Sequence, residues 1–406
     1  IDIISLPNYW QGIRLDDLVI FFYLLYYLFI NNFKVFPYLI NSKIIGFNWI
    51  IFFPYLVFSL FLGKFFGIDP QLILMVRYME YMGLIIIISQ LNPSKNKILL
   101  LFKFYIVINF IIIIFQYFDL IGGFTSRGHC VRDPNLPNFY CFDKEDITSI
   151  CFLNCDLGFI KNYVHPGGFL RSRVPGITGG PWELAINLSL CIFALAKFEK
   201  NWKTLIPYFI MAILMLLISQ SRGIIFGFLA STLFISNDYR KTILFVLSIF
   251  ILIIAIYLLD LFNFRNIISN KFFIDYFALI KILIGTFTDN LPPENEFTGT
   301  GLYSMWLRAK GWAVVISQIK SSNIFLIFGS GGGSSLYTES LIIRIITSFG
   351  IMGTLFVLYL AKNLPLILIV FLLVTGITID IFINFKIFLF TLLFLTLYKK
   401  DNLEKK

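Results

Sequence analysis

Apolar runs of bilayer-spanning length succeed one another along most of this chain, with short polar links between them. They fall near 15–30, 44–62, 72–91, 98–118, 181–197, 203–220, 223–236, 242–261, 342–361, 364–379 and 382–398, and each predicts a helix. Lysines mark alternate links: Lys34 with Lys43, Lys95 with Lys97, Lys197 with Lys200 and Lys203, Lys241 with Arg240, Lys362, and the tail Lys399, Lys400, Lys405 and Lys406. Basic residues collect on the cytoplasmic side of membrane helices, so these links read as inner and the others as outer. The alternation then runs without conflict from an outer start to an inner end. The chain opens on Ile1 rather than Met; a preceding piece with one more helix is expected, which would restore an inner N-terminus. The predicted fold is all-α, a polytopic integral membrane protein of about 11–12 transmembrane helices with two long extracytoplasmic loops.

Residues 1–118 then hold N-terminal transmembrane helices, 119–180 the first extracytoplasmic loop, 181–261 central transmembrane helices, 262–341 the second loop, and 342–406 C-terminal transmembrane helices with a cytoplasmic tail. In the second loop, Met305, Trp306, Ala309, Trp312, Ala313, Ile316 and Ile319 recur at helical spacing, flanked by Arg308, Lys310, Gln318 and Lys320. That pattern predicts an amphipathic helix lying on the membrane surface. Gly329 to Ser335 predicts a turn after it.

A composition 58% hydrophobic and 14% charged excludes a soluble domain. The net charge of +10 follows largely from inner lysines, so no nucleic-acid partner is implied. Cys130, Cys141, Cys151 and Cys155 all lie in the first long loop. Disulfides in an oxidising compartment are the expectation, with the pairing left open. A zinc site is the rival reading, weakened by irregular spacing and by His129 and His165 being the only histidines.

Arginine is distributed unlike lysine. Of 33 basic residues 11 are Arg and 22 Lys; on this topology ten Arg lie on or near the outer face and only Arg240 inside, whereas fourteen Lys are inside. In a background rich in Lys, Arg kept outside points to a demand for its planar fork, which matches phosphate and carboxylate. Arg222, in Ser219–Gly223, either snorkels at an interface or serves as an anion ligand. Arg171 and Arg173 lead through Val174–Gly180 to Pro181, which suits a first helical position, and Glu183. Glu183 either complements the helix dipole or is a carboxylate held beside arginines. Arg77 and Glu80 share a helix face and read as a structural pair. Arg308, Glu339 and Arg344 belong to the second loop and the helix after it, His165 to a turn, and Asp380 to the outer turn between the last two spans.

Ser219–Gly223 with the apolar run Ile224 to Ser231 is similar to the core signature of the bacterial O-antigen polymerase and O-antigen ligase superfamily. Gly176–Leu184 resembles that family's Gly/Pro-then-Glu-Leu segment, and Arg308–Trp312, Phe328–Gly331 and Ser348–Gly353 resemble its long periplasmic loop and following helix. The resemblance spans roughly 165–398. It implies a membrane glycosyltransferase of the bacterial inner membrane with its active site facing the periplasm. The implied partners are an undecaprenyl-diphosphate-linked glycan as donor, an acceptor glycan, membrane lipid, a chain-length regulator and a flippase. Ligases of the family carry a His after the glycine-rich turn, whereas this chain reads Ser335–Ser340 without one. That departure favours a polymerase of oligosaccharide repeat units over a ligase acting on lipid A-core or protein; a lipid-linked oligosaccharide flippase is the rival class. Arg173, Arg222 and Arg308, then Arg171 and Arg344, are the candidate diphosphate ligands. Glu339 is the expected general base and Glu183 the second candidate. No metal or other cofactor is required by the sequence.

Overall fold

In the computed structural model, the described residues are 2–4, 13–30, 48–65, 72–118, 130–131, 140–141, 165–166, 172–178, 180–199, 201–219, 221–235, 250, 271–288, 290–297, 303–320, 322–331, 340–362, 364–377, 379 and 384–404. Among them the architecture is helical: α1 (Leu15–Ile30), α2 (Asn48–Phe65), α3 (Leu72–Leu91), α4 (Lys95–Tyr117), α5 (Pro181–Phe198), α6 (Trp202–Ser219), α7 (Arg222–Thr232), α8 (Lys271–Phe287), α9 (Tyr303–Lys320), α10 (Asn323–Phe328), α11 (Leu341–Ala361), α12 (Leu366–Gly376) and α13 (Phe385–Glu404). Short antiparallel pairings join β1 (Asp2–Ile4) to β2 (Ile13–Arg14), β3 (Cys130–Val131) to β4 (Tyr140–Cys141), and β5 (His165–Pro166) to β6 (Ser172–Arg173). Among the described residues three helices are long and apolar enough to cross a membrane: α4, α5, and α11 over Leu341–Tyr359. Stretches of α6, α7 and α12 are apolar but shorter.

The ends of these helices follow from local chemistry. Ser94 caps α4 by accepting the Lys97 amide at 3.4 Å, and Asn384 caps α13 by accepting the Lys386 and Ile387 amides at 2.9 and 3.3 Å. Pro181 opens α5, where its missing N–H costs nothing. Helix α5 is the hub. Burial covers 83% of its apolar window but only 39% of that of α4, so α5 lies inside the bundle and α4 at its side. It packs against α4, α6, α7 and α13, while α7 lies along α12. Phe193 of α5 stacks on Phe228 of α7 and meets Phe371 of α12 edge-on, with ring centroids 5.3 Å apart in each case. Aromatic pairs of this kind add about 0.5–1.5 kcal/mol beyond area burial.

The bundle has two chemically different ends. At one, Lys95 pairs with Asp401 at 3.0 Å, Lys103 pairs with Glu199, Lys197 lies over the Tyr398 ring, and Lys400 donates to the Pro93 carbonyl at 2.7 Å. Burial lowers the Lys399 ammonium there to about 8. The link 92–94, Glu199 and the end of α13 meet at this end. Helices α5 and α6 pack as a hairpin, and two residues separate α6 from α7, too few to carry the chain back along α6. The first turns of α5 and α7 therefore share the other end.

Helix α11 is broken. Gly350 has φ 61° and ψ −168°, so Leu341–Phe349 and Ile351–Ala361 are separate segments. The segment after α10 fills the break: Ser330 N donates to the Thr347 carbonyl and Gly331 N to the Ser348 carbonyl, both at 2.9 Å. The Tyr55 hydroxyl of α2 contacts the Phe328 carbonyl at 3.0 Å and the Phe349 carbonyl, binding three elements at one point.

The expected helices correspond to observed ones, except that 242–261 falls outside the described residues. Two features of the second loop differ from expectation. Residues 271–287 form helix α8, which was read as loop. The apolar face of α9 packs against α8 instead of lying open on a membrane surface: Met305, Trp306, Ala309 and Trp312 are buried with Ile282, Phe297 and Ile343 of α11. Trp306 Nε1 also donates to the Pro292 carbonyl at 2.8 Å. An amphipathic face buries equally well on protein or lipid, so periodicity alone does not choose between them.

Two expected outcomes follow. A Cβ at Gly350 would stand 2.4 Å from the Ile327 carbonyl oxygen, on a backbone that L-residues avoid. Gly350→Ala should therefore destabilise the protein by about 1–3 kcal/mol or more, read as a lower Tm in detergent; an unchanged Tm would contradict the break. The β3–β4 register sets the backbone of Cys130 opposite that of Cys141, at the separation disulfides need. Peptide mapping without reduction should recover a Cys130–Cys141 crosslink, and crosslinks from either residue to Cys151 or Cys155 would count against this register.

Candidate functional site

Positive charge gathers at the end of the bundle opposite the lysine-paired one. Glu183, in the first turn of α5, forms an ion pair with Lys386 in the first turn of α13, with Nζ 3.2 Å from Oε1. The first turns of α5 and α13 therefore touch. Helix α11 begins on the last residues of α12: Ser340 Oγ donates to the Gly376 carbonyl at 3.0 Å, and Leu341 N donates to the Ile379 carbonyl at 3.3 Å. Four helices thus direct their N-termini, each carrying roughly half a positive charge, toward one end. Three of them also begin with a cation: Arg222 is the first residue of α7, Arg344 closes the first turn of α11, and Lys386 is the second residue of α13. Cations at helix N-termini lose about 0.3–1 kcal/mol each, so local helix stability does not account for them.

Irregular backbone at this end is held from within. The segment 174–178 before α5 is almost wholly buried, with Val174 at 0% and Thr178 at 1% exposure. Gln116 of α4 reads Gly176 through both amide atoms, donating from Nε2 to its carbonyl and accepting its N–H at Oε1, each at 2.9 Å. Asn109, two turns earlier, accepts the Ile177 N–H at 3.1 Å. Thr178 Oγ1 lies 2.6 Å from the Pro175 carbonyl and 2.9 Å from the Gly180 carbonyl. Gly176 takes φ +60°, and a Cβ there would stand 2.3 Å from Asn109 Oδ1. The chain after Arg173 is thereby fixed against α4. Asn187, one turn below Glu183, donates from Nδ2 to the Tyr105 hydroxyl at 3.3 Å, extending a polar stripe into the bundle.

The candidate residues fall in four groups. Glu183, at 3% exposure, and Arg344, at 7%, are buried and lie on helices whose first turns point to this end. Arg173 lies in β6, opposite His165 in register, and Arg222 heads α7; their backbone positions are described. Arg308 is on α9, beside the small core that α9 shares with Ile343, the neighbour of Arg344. Arg171, Glu339, Cys151, Cys155, His129 and Asp380 lie outside the described residues, and the side chains of Arg77, Arg173 and Arg222 are likewise not described. Glu80 is buried on α3 at 6% exposure, next to Tyr81, which stacks on Phe388 of α13.

Sequence reasoning did not single out Asn109, Gln116, Ser340 or Lys386. Asn109 and Gln116 did carry a signal: they are amides seven apart on one face of an otherwise apolar helix, and polar groups in such helices are retained for specific partners. Lys386 carried a weaker one, a cation just after an Asn cap. Among the described residues no cluster of three or more His, Cys, Asp or Glu could hold a metal ion. No protein-family model, curated protein or solved structure matches this chain.

Proposed function

We propose that this chain is a membrane-embedded glycosyltransferase that polymerises undecaprenyl-diphosphate-linked oligosaccharide repeat units at the periplasmic face of the bacterial inner membrane. The observation that carries the reading is the gathering of four helix N-termini and the first-turn cations Arg222, Arg344 and Lys386 at one end of an apolar bundle. Such an end suits a group with two or more negative charges, and a diphosphate is the common one at a membrane. The topology that goes with it is polytopic, with both long loops outside and the lysine-paired end inside.

In this reading an acceptor sugar hydroxyl attacks the anomeric carbon of the donor. The bond from that carbon to the diphosphate oxygen breaks, and the lipid diphosphate leaves with the electron pair. Arg173, Arg222, Arg308 and Arg344 meet the charge that grows on the diphosphate, with Arg171 in reserve. Glu339 takes the hydroxyl proton, and Glu183 is the second candidate. A positioned base contributes about 10²- to 10⁴-fold.

A second reading has one observation of its own. Broken helices with backbone paired to a neighbouring segment also occur in transporters, so the break at Gly350 suits a flippase for the same lipid-linked glycan. The two part in cells lacking the gene. A polymerase mutant is expected to show surface glycan of single repeat units in place of a ladder. Long polymer stranded on the carrier lipid would indicate a ligase, accumulation of single units on the inner leaflet a flippase, and an unchanged ladder would sink all three. Arg222→Lys keeps the charge and loses the fork; complementation with it should restore protein level but little polymer, and full activity would remove the argument from arginine geometry.

A further inference from the structure

Resting on the polymerase reading, we propose that Lys386 is a further contact for the donor diphosphate and that Glu183 acts through it, as its anchor. The two side chains differ sharply in exposure. Glu183 is 4% exposed and Lys386 43%, at 3.2 Å separation. The carboxylate is closed in by the bundle, while the Lys386 side chain, in the first turn of α13, keeps nearly half of its surface open. An ammonium has three donors, so it can face the Glu183 carboxylate and a ligand oxygen at the same time.

The position of Lys386 fixes where its charge lies. It occupies the first turn of α13, where the helix dipole repels a cation and favours a carboxylate. An ion pair between two touching first turns must set one cation against a helix dipole; here that cost falls on α13, while at α5 the carboxylate sits where the dipole favours it. What the present arrangement achieves is to fix a positive charge at the open end, with its counter-charge behind it. The Asn384 cap fixes the start of α13, accepting the Lys386 backbone amide itself at 2.9 Å, so the side chain leaves from a set point. Arg344 lies in the first turn of α11 at the same end and is buried, at 7% exposure. Lys386 is then the more exposed of the two cations whose side chains are described there. In this arrangement Glu183 is a positioning residue and Glu339 keeps the role of base.

The experiment measures binding of undecaprenyl diphosphate, without sugar, to the purified full-length chain in lipid nanodiscs. The wild type is compared with Lys386→Met, Lys386→Arg and the exchange Glu183→Lys with Lys386→Glu. Melting of each protein reports folding separately. The expected result is a loss of affinity of about 10- to 100-fold in Lys386→Met, as for a charged hydrogen bond, largely recovered in Lys386→Arg. The exchanged pair should melt near the wild type, because the ion pair is rebuilt, yet bind as poorly as Lys386→Met. Wild-type affinity in Lys386→Met or in the exchanged pair would overturn the proposal. Failure of both to fold would make the pair a folding element and overturn it as well. Absence of binding to the wild type would instead sink the polymerase reading on which it rests.

Discussion

Backbone that leaves helical geometry inside an apolar bundle must find every hydrogen bond within the protein, and the sites where this chain meets that demand shape the rest of its structure. The segment before α5 is held by Gln116 and Asn109 of α4. The break in α11 is filled by backbone of Ser330 and Gly331 and tied by Tyr55. An unpaired buried peptide group costs about 1–3 kcal/mol, so each device secures more than its own bond energy. Each also lies beside a candidate residue: Arg173 precedes the first, and Arg344 lies two turns before the second. Irregular backbone is retained where side chains must be aimed.

The same logic extends to charge. Helices in an apolar medium screen one another's dipoles poorly, so gathering four N-termini at one end raises the local potential before any side chain is considered. Adding Arg222, Arg344 and Lys386 to those first turns works against helix stability. Glu183 is buried beside them and paired to Lys386. The opposite end is balanced differently, with Lys95 and Lys103 matched to Asp401 and Glu199. One end thus joins its lysines to carboxylates in named pairs, and the other brings helix N-termini together with first-turn cations. That contrast, more than the number of basic residues, carries the case for an anionic ligand.

Much of the helical order was legible in the chain because apolar runs of spanning length report themselves. Pro181 marked a helix start, and Glu183 and Arg222 were recognisable as residues at helix beginnings. What could not be read was which helices meet. Nothing along the chain links Glu183 to Lys386 about two hundred positions later, and nothing in the α4 pattern says that Gln116 serves Gly176. The Met305–Ile319 face was periodic, but periodicity reports that a face is buried and not what buries it. Helix α8 is hard to read for a related reason: Lys271, Asp275 and Lys281 interrupt its apolar run, and the α9 pattern does not name the partner that covers it.

The break at Gly350 bears on how the proposed reaction and a transport cycle differ. A transporter needs an irregular helix that can alternate between two arrangements of similar energy. Here Gly350 faces the Ile327 carbonyl and Gly329 amide at distances that exclude even a methyl group, and Tyr55 ties both Phe328 and Phe349 to α2. Alternation would have to undo these contacts together, along with the Ser330 and Gly331 bonds. A glycosyltransferase has the opposite requirement, since stabilising charge on a departing diphosphate depends on donors already fixed before the bond breaks. A break clamped from two sides fixes the segment that carries Arg344, and this is the property that sets the polymerase reading ahead of the flippase.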